Sequence, residues 1–234
     1  MTSEPPIPPS SPNSSSISPT MQTYDVIIWD WNGTLLDDSW LCLEVMNDTL
    51  RKRDMPELSK QRYCEIFGFP VIDYYRRAGF TFEEESFEVV GTEFIDGYEA
   101  RRHESSLRHE AMLTLQAIQA AEITQCILSA YRQSTLHQLT EHYGVRAFCD
   151  HVVGLSNHYA AGKVDEGKDL ITKLGIDPDR ILMIGDTAHD SHVAEELGIH
   201  AMLIPGGNQT TEVLQATGRV ILNDLADLRA RIGC

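Results

Sequence analysis

Tyr24-Asp25-Val26-Ile27-Ile28-Trp29-Asp30-Trp31-Asn32-Gly33-Thr34 is the stretch from which the rest of the 234-residue chain can be read. Its first part is a short, apolar, β-branched run that stops at Asp30 and Gly33. That pattern predicts a strand buried on both faces, because a half-exposed strand would alternate polar and apolar residues. A carboxylate just past such a strand, with a glycine to allow a sharp turn behind it, sets a fixed oxygen at the mouth of a sheet. An aspartate that merely closes a strand before a turn would read the same way.

Working outward, similar runs recur at Ile123–Leu128, His151–Leu155, Ile181–Ile184, His200–Ile204 and Val220–Leu222. Helical patterns lie between them at Leu107–Ala120, Ser134–Tyr143, Asp165–Leu174 and Ser191–Leu197. Strands alternating with helices predict an α/β fold, a doubly wound parallel sheet covered on both faces. Residues 39–105 break the alternation. They carry Leu41, Leu43, Val45, Met46 and Leu50 at helical spacing, then many aromatics interleaved with Glu and Arg, and no strand. The predicted organisation is a core over 21–38 and 106–234 with a small helical cap, 39–105, inserted after the first strand. Most of the cap's aromatics are accounted for as its own core.

Residues 1–20 are rich in Ser and Pro and too polar to bury enough surface to offset ordering, so a disordered tail is expected. They lack the basic start and apolar centre of a secretory signal and the arginines of a transit peptide. Net charge is −16, from 35 acidic and 19 basic residues, which argues against attraction to nucleic acid or an anionic membrane. No apolar run approaches the roughly 20 residues needed to span a bilayer. Five cysteines without CxxC spacing read as free thiols of a reducing compartment, hence a cytoplasmic protein. Nothing in the sequence sets the oligomeric state.

Four features fall, in order, at predicted strand ends. Asp30 is the first. Ser129 follows the run Ile123–Leu128, where a hydroxyl and neighbouring N–H groups suit a phosphoryl oxygen; a helix cap is the ordinary alternative. Lys163, in Ala160-Ala161-Gly162-Lys163, would bring a point charge to phosphate. Lys168 is its rival but lies within a helical pattern that faces solvent. Gly185-Asp186-Thr187-Ala188-His189-Asp190 places two carboxylates four apart, the first at a strand end, suited to Mg²⁺. Capping of the following helix is the ordinary role for Asp190.

Together these four segments resemble the motifs of the haloacid dehalogenase-like hydrolase superfamily: Asp-x-Asp-x-Thr, Ser or Thr, Lys, and Gly-Asp-x-x-x-Asp. The insertion between the first two motifs resembles the helical cap of phosphoglycolate phosphatase-like members, and Leu203–Gln209 resembles a loop of theirs. The resemblance implies that Asp30 attacks phosphorus, forming an aspartyl-phosphate that water hydrolyses. It implies Mg²⁺ between Asp30, the main-chain carbonyl of Asn32 and Asp186. Asp190 would hold a metal-bound water or orient Lys163, while Ser129 and Lys163 hold phosphoryl oxygens. The implied substrate is a small phosphorylated metabolite.

One position departs from the motif. Asn32 stands where the family has a second aspartate, which protonates the leaving alcohol and then activates water. An amide does neither, and losing a general acid costs about 10²–10⁴ in rate. Three readings therefore stay open: a phosphatase whose acid comes from elsewhere, with His189 and cap residues as candidates; a hydrolase of carbon–halogen or carbon–phosphorus bonds; or a catalytically weak phosphate-binding protein. The Asp186/Asp190 pair counts against the dehalogenase, since displacement at carbon needs no Mg²⁺. Asp37 and Asp38 mark the hinge into the cap or cap its first helix. Arg76 and Arg77 either meet an anionic substrate tail or form a solvated face. His189 and His192, three apart, have no third soft ligand nearby and are discounted as a metal pair.

Overall fold

The computed structural model describes residues 23–155 and 163–234. The expected N-terminal tail and Ala160–Gly162 lie outside the described residues. The core is a six-stranded parallel sheet. In chain order, β1 (Val26–Trp29) is followed by the short β2 (Leu36–Asp37) and by helices α1 (Ser39–Arg51), α2 (Lys60–Ile66), α3 (Val71–Ala78) and α4 (Phe87–Arg101). The chain returns through β3 (Ser106–Leu107) to α5 (Ala111–Ala120), β4 (Thr124–Arg132), α6 (Gln133–His142), β5 (His151–Leu155) and α7 (Val164–Leu174). It ends with β6 (Ile181–Gly185), α8 (Ala188–Leu197), β7 (His200–Leu203), α9 (Thr211–Gln215), β8 (Val220–Ile221) and α10 (Leu225–Ile232).

The strand order is β5-β4-β1-β6-β7-β8, so the winding reverses at β1. All four residues of β1 are fully buried, Ile27 and Trp29 in one helix-covered layer and Val26 and Ile28 in the other. Each such side chain contributes about 1.5–3 kcal/mol on burial. Trp29 Nε1 in this layer donates to Gln125 Oε1, and Gln125 Nε2 donates to the Leu115 carbonyl.

The four helices α1–α4 leave the core after β2 and return at β3, and these two short strands pair antiparallel as a two-stranded stem. Met46, Leu50, Tyr63, Tyr74, Tyr75 and Phe80 form the heart of a separate cluster among these helices, as the aromatic-rich sequence suggested. Strand β4 runs through Arg132 rather than stopping at Leu128, so Ser129 lies inside it, and the next helix begins only at Gln133. Pairing with β5 is irregular there, stepping from Leu128↔Val153 to Arg132↔Leu155. Such a bulge re-aims side chains at a sheet edge. The pattern over Leu107–Ala120 likewise begins its helix late, at Ala111, because Leu107 belongs to the stem.

Candidate active site

The turn after β1 is held by the Trp31 carbonyl, which accepts the N–H groups of Thr34, Leu35 and Leu36. Gly33 takes φ +74° in it, and a Cβ there would come within 2.2 Å of Asp186 Oδ2. Glycine is thus required twice over, by conformation and by space. The turn brings the Asp30 and Asp186 carboxylates together under one hydroxyl: Thr34 Oγ1 lies 3.2 Å from Asp30 Oδ2 and 3.2 Å from Asp186 Oδ1.

Lys163, at the start of α7, is 2% exposed and reaches the same place. Its Nζ lies 2.5 Å from Asp30 Oδ1, 2.7 Å from Asp190 Oδ1 and 3.2 Å from the Leu128 carbonyl, which uses all three ammonium donors. Lys168 is exposed. Asp190 orients Lys163 with one oxygen and, with the other, accepts Thr187 N–H and Oγ1 in a capping box. Asp190 therefore caps α8 and pairs with Lys163 at once. Ser129 is buried and its hydroxyl accepts from Tyr131 N–H at 3.1 Å, a local turn rather than a helix cap.

Asp30, Asp186 and Asp190 offer carboxylate oxygens within 4.8 Å of one another. Burial pushes Asp30 up to about 6, against the pull of Lys163. Burial and the neighbouring charges of Asp30 and Asp190 push Asp186 well above the usual carboxylate range. Burial also works against Asp190, but Lys163 outweighs it and holds that group low. Burial opposes the Lys163 charge too, yet Asp190 and Asp30 together keep it above the ordinary lysine value. Three buried carboxyl groups share one ammonium, so their full ionisation calls for further positive charge beside a lining of hard oxygens. That is the donor set a Mg²⁺ ion fits.

Several contributors were not singled out by their residue types. Asn208 donates its N–H and Nδ2 to Asp186 Oδ2 at 2.6 and 3.0 Å, and its Oδ1 accepts from Tyr63 of α2 at 2.8 Å. Arg108 clamps the turn, donating to the Gly33 carbonyl at 2.5 Å and to the Pro205 carbonyl at 2.7 Å. Asp38 is fully buried and, although it occupies the N-cap position of α1, makes no cap bond. It turns back instead: Oδ1 accepts Gly33 N–H at 2.8 Å, and Oδ2 accepts Asn32 Nδ2 and Tyr98 Oη, both at 2.6 Å. The only sequence signal was the doubled acid Asp37-Asp38, five and six residues beyond Asn32.

The capping helices sit on this edge. Gln209 Nε2 donates to the Phe67 carbonyl at 2.8 Å, and the Phe69 ring stacks on His189 at 4.2 Å. Burial drives His189 down to about 4, so its imidazole is neutral. His192 is exposed, its ring centroid 6.4 Å from that of His189. Arg76 is paired with Asp73 on the surface, while Arg77 Nε donates to the Ile66 carbonyl. Arg77, Phe67, Phe69, His189, His192 and Gln209 line a cleft of about 460 Å³ between cap and core.

An acidic sheet edge at a topological switch, roofed by an inserted helical unit, is the architecture of capped α/β hydrolases. A model of the haloacid dehalogenase-like hydrolase family matches residues 27–204, and the chain belongs to that family. It is similar to the tyrosine-protein kinase PtkA of Mycobacterium tuberculosis, 23% identical across 91% of this chain and 74% of that one. It is similar to the pyrophosphatase PpaX of Oceanobacillus iheyensis, 22% identical across 88% and 96%. A crystal structure titled a predicted phosphoglycolate phosphatase, from Haemophilus somnus, superposes with a TM-score of 0.71 at 18% identity, covering 88% of this chain and 97% of that one. Among the described residues no helix is long and apolar enough to cross a membrane.

Proposed function

We propose that the protein is a Mg²⁺-dependent phosphatase of a small phosphomonoester, acting through an aspartyl-phosphate on Asp30. The observation that carries this is the placement of the Asp30 carboxylate, with one oxygen on Lys163 and the other beside Thr34 and Asp186 at the switch point of the sheet. Asp30, the Asn32 carbonyl and Asp186 would hold the metal, with Asp190 beside them. Bound there, Mg²⁺ would neutralise the transferring phosphoryl group and align it with Asp30. An Asp30 oxygen attacks phosphorus as the ester P–O bond breaks. Ser129 and Lys163, which would exchange its bond to the Leu128 carbonyl, hold the phosphoryl oxygens, and the leaving oxygen takes its proton from a water molecule, since the Asn32 amide supplies none. Water then attacks the phosphorus of the acyl phosphate, restoring the Asp30 carboxylate and releasing phosphate. The 460 Å³ cleft is where cap residues would select the leaving group.

The structure alters the obvious test of Asn32. Asn32→Asp alone would set a carboxylate where Asn32 Nδ2 now lies 2.6 Å from Asp38 Oδ2, so repulsion should blunt any gain. The exchange Asn32→Asp/Asp38→Asn keeps an amide facing a carboxylate. At saturating Mg²⁺ it should raise hydrolysis of alkyl phosphates at least tenfold, toward the about 10²–10⁴ that a general acid supplies. Rates on a panel of phosphorylated metabolites, with and without Mg²⁺, check this; no gain on any of them means another group already delivers the proton.

The carboxyl cluster gives a second expected result, independent of turnover. Mg²⁺ should raise the melting temperature, with a stabilisation of about 2.7 kcal/mol at 100 times its Kd, and EDTA should reverse it. Scanning calorimetry over a Mg²⁺ series measures this, and an unchanged melting temperature at every concentration speaks against a metal site.

A second reading draws on Asn32 itself. Without a carboxylate there to activate water, the aspartyl-phosphate should persist and its phosphoryl group could pass to an acceptor hydroxyl. The similarity to a protein named as a tyrosine kinase points the same way. Accumulation of a hydroxylamine-sensitive phosphoenzyme, with transfer to an added alcohol outpacing hydrolysis, would favour it over the phosphatase.

A further inference from the structure

Asp38 touches neither Asp30 nor Lys163 in any hydrogen bond, yet it is wholly buried, and apart from a long contact with Cys42 Sγ at 4.0 Å its side chain accepts from Gly33, Asn32 and Tyr98. Gly33 N–H belongs to the same peptide group as the Asn32 carbonyl. Asp38 Oδ1, 2.8 Å from that N–H, therefore fixes the plane in which the carbonyl oxygen points. A carboxylate on the N–H side also draws electron density toward the carbonyl oxygen, making it a better ligand for a hard cation. Oδ2 meanwhile binds Asn32 Nδ2 and Tyr98 Oη, and Asn32 Nδ2 lies 3.0 Å from that same Tyr98 oxygen. Tyr98 belongs to α4 of the cap and is 4% exposed. One carboxylate thus joins the cap to the peptide expected to face the metal.

We propose that Asp38 is a positioning residue that sets the Asn32–Gly33 peptide for divalent-cation binding and, through Tyr98, makes that binding depend on the cap being seated. The inference rests on the metal reading above, in which Asn32 offers its main-chain oxygen. Tyr98 touches Asn32 directly only at its side-chain amide and reaches the Asn32–Gly33 main chain through Asp38. Most of its effect should therefore vanish once Asp38 is gone, a non-additivity that two unrelated structural defects would not show.

The test measures cation affinity with no substrate present. Mn²⁺ stands in for Mg²⁺, and free Mn²⁺ is read by electron paramagnetic resonance on the full chain. Wild type, Asp38→Ala, Asp38→Asn, Tyr98→Phe and Asp38→Ala/Tyr98→Phe are compared, each checked for folding by circular dichroism. Asp38→Ala should weaken Mn²⁺ binding about 10–100-fold, the usual effect of removing a partner that orients a ligand. Asp38→Asn, which keeps one oxygen for Gly33 N–H, should fall between it and wild type. Tyr98→Phe should weaken binding severalfold, and the double variant should bind little worse than Asp38→Ala. A folded Asp38→Ala with wild-type affinity overturns the inference, as does an additive double variant. Should the alanine variant fail to fold, Asp38→Asn and Tyr98→Phe decide: wild-type affinity in both overturns it. Failure of wild type itself to take up Mn²⁺ overturns the metal reading instead, and this inference with it.

Discussion

Asp30→Asn is expected to give a folded protein that releases no phosphate above background, a loss of roughly 10⁴-fold or more. The substitution is nearly isosteric and keeps an oxygen that can accept from Lys163 Nζ, now 2.5 Å from Asp30 Oδ1. It also removes one of three crowded buried carboxylates, the one that burial already pushes up to about 6. The fold should therefore tolerate it. An amide oxygen is a poor nucleophile for phosphorus, so the covalent step has no substitute. Phosphate release over the metabolite panel, with thermal melts as the folding control, makes the comparison. Wild-type turnover by a folded Asp30→Asn protein would remove the aspartyl-phosphate from consideration.

Lys163→Met should carry the largest stability cost. The lysine is buried and balances Asp30 and Asp190 at 2.5 and 2.7 Å. Removing one partner of a buried ion pair leaves an uncompensated charge, typically costing about 3–5 kcal/mol. Methionine fills a similar volume, so the loss reports charge and hydrogen bonding rather than a cavity. Urea denaturation in EDTA isolates the effect, because a bound cation would compensate part of the missing charge. A stability within about 1 kcal/mol of wild type would mean that the two carboxylates do not depend on this ammonium. Activity should fall alongside stability, since the same ammonium faces the transferring phosphoryl group in the proposed reaction.

The parallel sheet was legible because β1 and its neighbours are dense apolar runs, and burial on both faces is what such runs require. Asp30 and Asp186 were legible for a related reason: strand ends on one edge of a parallel sheet must converge, however far apart in sequence, and Lys163 joins them from the start of the helix that follows β5. Ser129 was placed less well, since the apolar run ends at Leu128 while the hydrogen-bonded strand continues through its bulge to Arg132. The stem of β2 and β3 is only two residues long on each side, too short to show a period. Helices α9 and α10 were passed over, being short enough that tertiary packing rather than pattern defines them. Asp38, Tyr98, Arg108 and Asn208 were hidden more deeply. Their roles depend on which atoms meet once the cap folds back, and residue type alone does not carry that information. The acid missing at Asn32 has a buried carboxylate 2.6 Å away, which no reading of the motif by itself would find.

The place of β1 in the strand order has a consequence for how the molecule opens. With β4 and β5 on one side and β6, β7 and β8 on the other, β1 cannot lose its ladder hydrogen bonds by fraying from an edge. Its amides should exchange with deuterium only on global unfolding, whereas those of β5 and β8 exchange through smaller openings. Asp30, the proposed nucleophile, thus directly follows the strand expected to exchange slowest. The cap above it has a separate core and a stem of two short strands, so its amides are expected to exchange through openings smaller than global unfolding.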